Sequence, residues 1–225
     1  MELIKENIYL VRNEKIFPSN TYILKHKVNN TCILIDPGFE SEVVNKCIKV
    51  LKFEPVAIIA THGHFDHIAG ISFLKQNFNI PFYLHELDLR ICLSANFYLK
   101  IAKINYKIET PTPDILFKQP YETITIGGFD LSVHNFPGHS NGSCIIQYGS
   151  NLFSGDILYK KGLGSGSIPR EDIVLLKDSL EKIMERFDND MLILPGHGPA
   201  EYLGSIMEHN TELQNFLSKN TNNHA

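Results

Sequence analysis

The stretch Thr61-His62-Gly63-His64-Phe65-Asp66-His67 constrains this chain more than any other. It crowds three imidazoles and a carboxylate directly behind an apolar run, Pro55-Val56-Ala57-Ile58-Ile59-Ala60. The run reads as a buried strand, and the spacing of Ile68, Ile71, Phe73, Leu74 and Phe78 reads as an amphipathic helix leading out. The cluster is therefore expected on a strand-to-helix loop at the carboxyl end of a strand, where an α/β protein places its site.

On an extended backbone alternate residues point the same way, so His62, His64 and Asp66 can converge while His67 turns to a neighbouring point. Imidazole and carboxylate are natural ligands for zinc and other borderline divalent ions. The blander reading, a loop that happens to be rich in histidine, would need a separate partner for each polar group packed behind a core strand. Further ligand-type residues close short apolar runs downstream. They are His139 in Phe136-Pro137-Gly138-His139-Ser140, Asp156 in Leu152-Phe153-Ser154-Gly155-Asp156, and His197 in Leu192-Ile193-Leu194-Pro195-Gly196-His197. Each alone would be an ordinary turn residue, but together they bring two imidazoles and a carboxylate to the same edge.

The ordered set His62, His64, Asp66, His67, His139, Asp156 and His197 resembles the metallo-β-lactamase superfamily. The wording of Thr61 to Gly70 (THGHFDHIAG), Phe136 to Ser143 (FPGHSNGS), Phe153 to Leu158 (FSGDIL) and Leu194 to Ala200 (LPGHGPA) is similar to glyoxalase II and its short relatives. The resemblance implies an α/β fold, the four-layer αββα sandwich, with two divalent metal ions as cofactor. Zinc is the default, and iron or manganese would suit the same ligands. One ion would be held by His62, His64 and His139, the other by Asp66, His67 and His197, with Asp156 bridging them. The implied reaction is hydrolysis of a thioester by metal-activated water, with Asp66 as ligand and orienting base. Tyr159, three residues after the bridging Asp, resembles the tyrosine of acyl-homoserine lactonases, which makes a lactonase the alternative. A mononuclear-iron persulfide dioxygenase is a further one, although the Pro195-Gly196-His197-Gly198-Pro199 close counts against it. The branch usually carries Arg or Lys where this sequence has Ser165, so a fixed cation for an anionic substrate is missing unless Lys160 or Lys161 substitutes. The longer enzymes also have a helical C-terminal extension that helps hold glutathione, and this sequence is expected to be the short form without it.

The remaining residues narrow the class. At 225 residues and 43% hydrophobic, the chain is long enough for a substantial core. It is expected to form a single domain over 1–217 with a polar tail at 218–225. A net charge of −4 gives no overall electrostatic reason to bind nucleic acid or an anionic membrane, which disfavours a nuclease. No basic-then-apolar leader and no run of about 18–20 apolar residues is evident, so a cytoplasmic protein, monomer or homodimer, acting on a small molecule is expected. The scattered Cys32, Cys47, Cys92 and Cys144 form no Cys-x-x-Cys pair and read as reduced thiols. His26, His85, His134, His209 and His224 match no motif position. Asp36, in the Ile35-Asp36-Pro37-Gly38 turn, reads as an acceptor supporting the ligand loop rather than as a ligand. The segment from Ala95 to Pro120 is equally readable as a surface connection covering a sheet edge and as a flap over the metals.

Overall fold

Apolar residues on the central strands run consecutively rather than in alternation, which is the pattern of strands covered on both faces. The computed structural model, which describes residues 1–164 and 172–219, explains why. One sheet takes β1 (Glu2–Lys5), β2 (Ile8–Asn13), β3 (Ser19–Lys25), β4 (Thr31–Ile35), β5 (Glu54–Ile59), β6 (Phe82–His85) and β7 (Ile115–Phe117), in that spatial order. Its first four strands are antiparallel and its last four parallel, the turnover falling at β4. The other sheet runs β13 (Glu201–Tyr202), β12 (Leu192–Pro195), β11 (Asn151–Gly155), β10 (Cys144–Tyr148), β9 (Phe129–Asn135) and β8 (Tyr121–Ile126), parallel only between β11 and β12.

Neighbouring residues of one strand enter different cores. Ile33, Ile35, Ala57 and Ile59 face the second sheet and meet Phe129, Leu131, Val133, Ile146, Phe153 and Leu194. Cys32, Leu34, Ile58 and Ala60 face outward, onto a layer of helices: α1 (Ser41–Leu51), α2 (Phe65–Ile68), α3 (Ile71–Phe78), α4 (Leu89–Leu93) and α5 (Ala95–Ile101). On the far side Ile145, Leu152 and Ile193 pack against α6 (Ile173–Arg186), α7 (Leu203–His209) and α8 (Thr211–Ser218). Three cores between four layers make the αββα sandwich expected from the sequence. Among the described residues no helix is long and apolar enough to cross a membrane.

Three expected helices are broken. The pattern from Ile68 to Phe78 predicts one helix, but the Gly70 N–H turns away to donate to Pro37 O (3.0 Å), and α2 ends before α3 begins. The apolar pattern from about Leu203 to Leu217 also predicts one helix, but it stops at Asn210, whose backbone is non-helical and whose side chain instead caps α8 by accepting from Leu213 N (3.0 Å). The Glu86 to Ser94 pattern likewise resolves into a 3-10 turn, Glu86–Asp88, followed by α4. Three short strands, β1, β7 and β13, go unpredicted because four, three and two residues carry too little periodicity to read. The four cysteines are free; Cys32, Cys92 and Cys144 are buried and Cys47 partly so. Most of the expected polar tail, from 220 onward, lies outside the described residues.

The Ala95 to Pro120 segment is fastened to the body. α5 buries Ala95 and Leu99, Asn96 bonds both Ile108 N and Ile108 O (3.0 Å each), Ser72 Oγ donates to Glu109 O (2.9 Å), and β7 completes the sheet edge. This matches the surface-connection reading, with one contact toward the site: the Tyr98 ring lies 6.4 Å from that of His64.

Candidate metal centre

The strand ends converge as the sequence predicts. The loop after β5 supplies His62 and His64, the short helix α2 that follows it Asp66 and His67, the turn between β9 and β10 His139, the end of β11 Asp156, and the turn after β12 His197. All seven come together in two groups, His62/His64/His139 and Asp66/His67/Asp156/His197, within each of which the donor atoms lie no more than 4.8 Å apart. Asp156 faces both groups. Its Oδ1 is 3.3 Å from His67 Nε2, while Oδ2 is 3.2 Å from His197 Nε2, 3.6 Å from His139 Nε2 and 4.0 Å from His62 Nε2.

Hydrogen bonds behind the rings fix which nitrogen faces inward. Thr61 Oγ1 donates to Asp36 Oδ2 (2.7 Å), so it must accept from His62 Nδ1 (3.1 Å), and the inward Nε2 of His62 keeps its lone pair. His67 Nδ1 donates to Asp36 Oδ2 (3.0 Å) and His139 Nδ1 to Gly164 O (2.6 Å), which makes Nε2 the inward atom of each ring and the one that carries the lone pair whenever the ring is neutral. Asp36 is thus the supporting acceptor expected from the sequence, held in turn by the Thr61 N–H (2.7 Å).

The buried charges set the proton balance. Burial first, and neighbouring imidazoles second, hold His62 well below the ordinary imidazole value and bring His64 down to about 3, so both are neutral ligand-ready rings at pH 7. Burial pushes His67 and His197 the same way but loses to the carboxylates. Asp156, Asp66 and Asp36 raise His67 well above its usual value, and Asp156 and Asp66 bring His197 up to about 10. Asp66 and Asp156, which burial alone would raise, are held by these two imidazoles below the usual carboxylate range.

These residues fit a pair of cations. His139 Nε2 lies 2.9 Å from His64 Nδ1, and with the His139 proton committed to Gly164 O its Nε2 is an acceptor with nothing of its own to donate. His62 Nε2, His67 Nε2 and Asp156 Oδ1 are buried without a hydrogen bond. Each such buried atom costs about 1–3 kcal/mol, so inward-facing lone pairs and carboxylates are stable together only around positive charge.

The second sheet's contribution is held by the first. Tyr22 Oη and Asn20 Nδ2 donate to Pro195 O (2.8 and 2.9 Å), and Asn20 Nδ2 also reaches Gly198 O (2.8 Å), bracketing His197. Aromatic rings flank it, Phe17 at 6.1 Å and Tyr159 at 5.9 Å between centroids. Tyr159 lines a cleft of about 520 Å³ with Lys160, Lys161, His197, Gly198 and Pro199. Lys160 there pairs with Glu201 (2.8 Å), which leaves Lys161 as the other cation of that cleft, while Ser165 lies outside the described residues. His26, His85, His134 and His209 take no part in either group. Asp88 and Thr61 were not singled out in the sequence. Asp88 stands 25 residues from the loop it contacts, and its one legible signal is an acidic residue just beyond a strand that ends at the same edge.

Comparison with known proteins places this geometry. The family model described as the metallo-beta-lactamase superfamily matches residues 15–197. A hydroxyacylglutathione hydrolase, GloC, of Haemophilus influenzae is 29% identical over 84% of this chain and 89% of its own. Among solved structures, BLEG-1, described as a B3 metallo-beta-lactamase, is 30% identical with a TM-score of 0.80, covering 92% of this chain and 99% of that one. TTHA1623, solved in a di-iron-bound form, is 28% identical with a TM-score of 0.79, covering 90% and 98%.

Proposed function

This chain belongs to the metallo-β-lactamase superfamily, and from that premise we propose that it is a binuclear metal-dependent hydrolase that cleaves thioesters of the hydroxyacylglutathione type. The observation that carries the reading is the shared carboxylate: Asp156 lies within reach of imidazoles from both donor groups. His62, His64 and His139 would hold one ion, Asp66, His67 and His197 the other, and Asp156 both. When bound, ions there would lower the pKa of water from about 15.7 to about 7 and polarise a carbonyl, the chemistry a hydrolase without a side-chain nucleophile needs. Zinc suits the donor set, and a di-iron relative makes iron the alternative.

The chain's own residues then divide the work. Asp66, ionised at neutral pH, presents a carboxylate beside His67 and His197 that orients the attacking water and accepts its proton. Asp36 and Gly164 O hold the imidazoles in register, so no reorganisation is needed as charge develops. The thioester assignment rests on the GloC relative and on the branch-like wording of the four motifs. Tyr159, whose ring meets that of His197, supports lactone hydrolysis as the second reading.

Elemental analysis of the purified protein, run beside a panel of thioesters, lactones and β-lactams, tests the proposal. Two ions per chain with thioesters turned over fastest is the expected result. One iron with oxygen uptake, or β-lactams as the best substrates, would overturn it.

A further inference from the structure

Three of the inward-facing imidazoles have a partner fixing the ring from behind: His62 through Thr61, His67 through Asp36, and His139 through Gly164 O. His64 presents Nδ1 to the site, and among the described residues its hydrogen-bond partner is His139 itself. Its position, and the spacing of its loop from the His139 loop, must come from the backbone. Beside the backbone bond from Cys144 N to Thr61 O (2.9 Å), one side chain outside the donor set hydrogen-bonds both loops among the described residues. Asp88, in the turn after β6, is fully buried and accepts three short bonds. Its Oδ2 takes the Gly63 N–H, from between His62 and His64, and the hydroxyl of Ser140, the residue after His139 (2.7 Å each). Its Oδ1 takes the Gly142 N–H (2.7 Å).

The surroundings are shaped to this carboxylate. A Cβ on Gly142 would stand 2.7 Å from Asp88 Cγ, and one on Gly63 would stand 2.8 Å from Asp88 O. Both glycines let the loop backbones close directly onto Asp88. Ser140 is further locked by Ser143, whose hydroxyl meets its own at 2.7 Å and accepts its N–H at 3.0 Å. Charge-assisted bonds to buried amides are about twice as strong as neutral ones, and these amides have no water to turn to.

We propose that Asp88 is a positioning residue for the three-histidine half of the centre, clamping the His62/His64 loop of one sheet to the His139 loop of the other and so setting that half's metal affinity. The inference rests on reading His62, His64 and His139 as a metal site. Asparagine keeps the shape of Asp88 but offers one acceptor oxygen, and its NH2 must then face an N–H or hydroxyl that needs an acceptor.

The test isolates this half in a His197→Ala background and titrates zinc against a chromophoric chelator. Adding Asp88→Asn is expected to weaken zinc binding about 10- to 100-fold, the usual cost of losing a supporting partner. Melting of the zinc-free proteins is followed in parallel. A lower melting temperature with unchanged zinc affinity would mean that Asp88 only stabilises the fold, and would overturn the proposal. If Asp88→Asn does not fold, Ser140→Ala in the same background removes one of the three bonds and should weaken zinc about 2- to 10-fold; no weakening there overturns it equally. A His197→Ala protein that takes up no zinc would overturn the metal reading of the three histidines and this inference with it, whereas equal affinity with and without Asp88→Asn would overturn this inference alone.

Discussion

Tyr159 separates the two substrate readings at the scale of a single residue. Its ring stands edge-on to that of His197 on the wall of the cleft, which suits either a packing role or a hydroxyl that serves a substrate there. Phe keeps the ring and removes only the hydroxyl. Tyr159→Phe is expected to leave thioester turnover unchanged. Any lactone turnover should fall about 100-fold in both kcat and kcat/KM, as expected when one donor to a developing charge is lost. Steady-state kinetics of both proteins on one thioester and one acyl-homoserine lactone measures it. Equal lactone rates in the two proteins would remove the main support of the lactonase reading.

At the scale of elements, Asn210 shows how a helix break serves the site. By leaving the helical conformation it caps α8, and its amide also donates to Tyr159 O (3.1 Å) and Gly162 O (2.9 Å) while its oxygen receives Gly162 N (3.3 Å). The segment that follows Asp156 is thereby tied to the joint between α7 and α8. Asn210→Ala removes the cap and leaves buried backbone groups without partners, for a cost of about 2–3 kcal/mol, or roughly 5–10 °C in melting temperature for a chain of this size. Calorimetry on the metal-loaded protein checks the figure, and a shift near zero would contradict the geometry. The same residue explains where the sequence could be read and where it could not. The periodicity of α6 and the apolar runs of β4, β5 and β12 are strong because each packs one or both faces into a core, and the seven donor residues are legible because each closes such a run. Asn210, Gly70 and Asp88 act through hydrogen bonds to residues 25 to 54 positions away, and nothing in the local pattern announces a partner at that distance.

The whole molecule responds to pH through the second donor group. In the metal-free protein His197 is raised to about 10 by Asp156 and Asp66, so its ion pairs contribute fully below the unfolded value near 6.5 and fade as pH rises toward 10. Asp66 and Asp156 are depressed, so their contribution is present above the ordinary carboxylate value near 4 and fades as pH falls below it. Melting temperature of the metal-free protein is therefore expected to be highest near pH 6.5, declining toward 10 as His67 and His197 lose their protons and declining below 6.5 because His62 and His64 stay neutral in the fold while free imidazoles charge. His197→Ala should flatten the alkaline side. A wild-type profile that rises between pH 7 and 10 would contradict the assignment.

The order of strands carries a consequence for how the chain can be divided. β1 to β7 lie in one sheet and β8 to β13 in the other, so the polypeptide finishes the first sheet with its helices before it begins the second, and the two meet through the exposed connection Lys118-Gln119-Pro120. His62, His64, Asp66 and His67 precede that connection; His139, Asp156 and His197 follow it. The molecule is in this sense two hands, each complete as a layered body and neither able to complete the two donor groups alone. A single backbone cut at the connection would sever none of the described strands or helices, and what remained would be a heterodimer whose interface is the inter-sheet core and whose clasp is the shared set of donor residues.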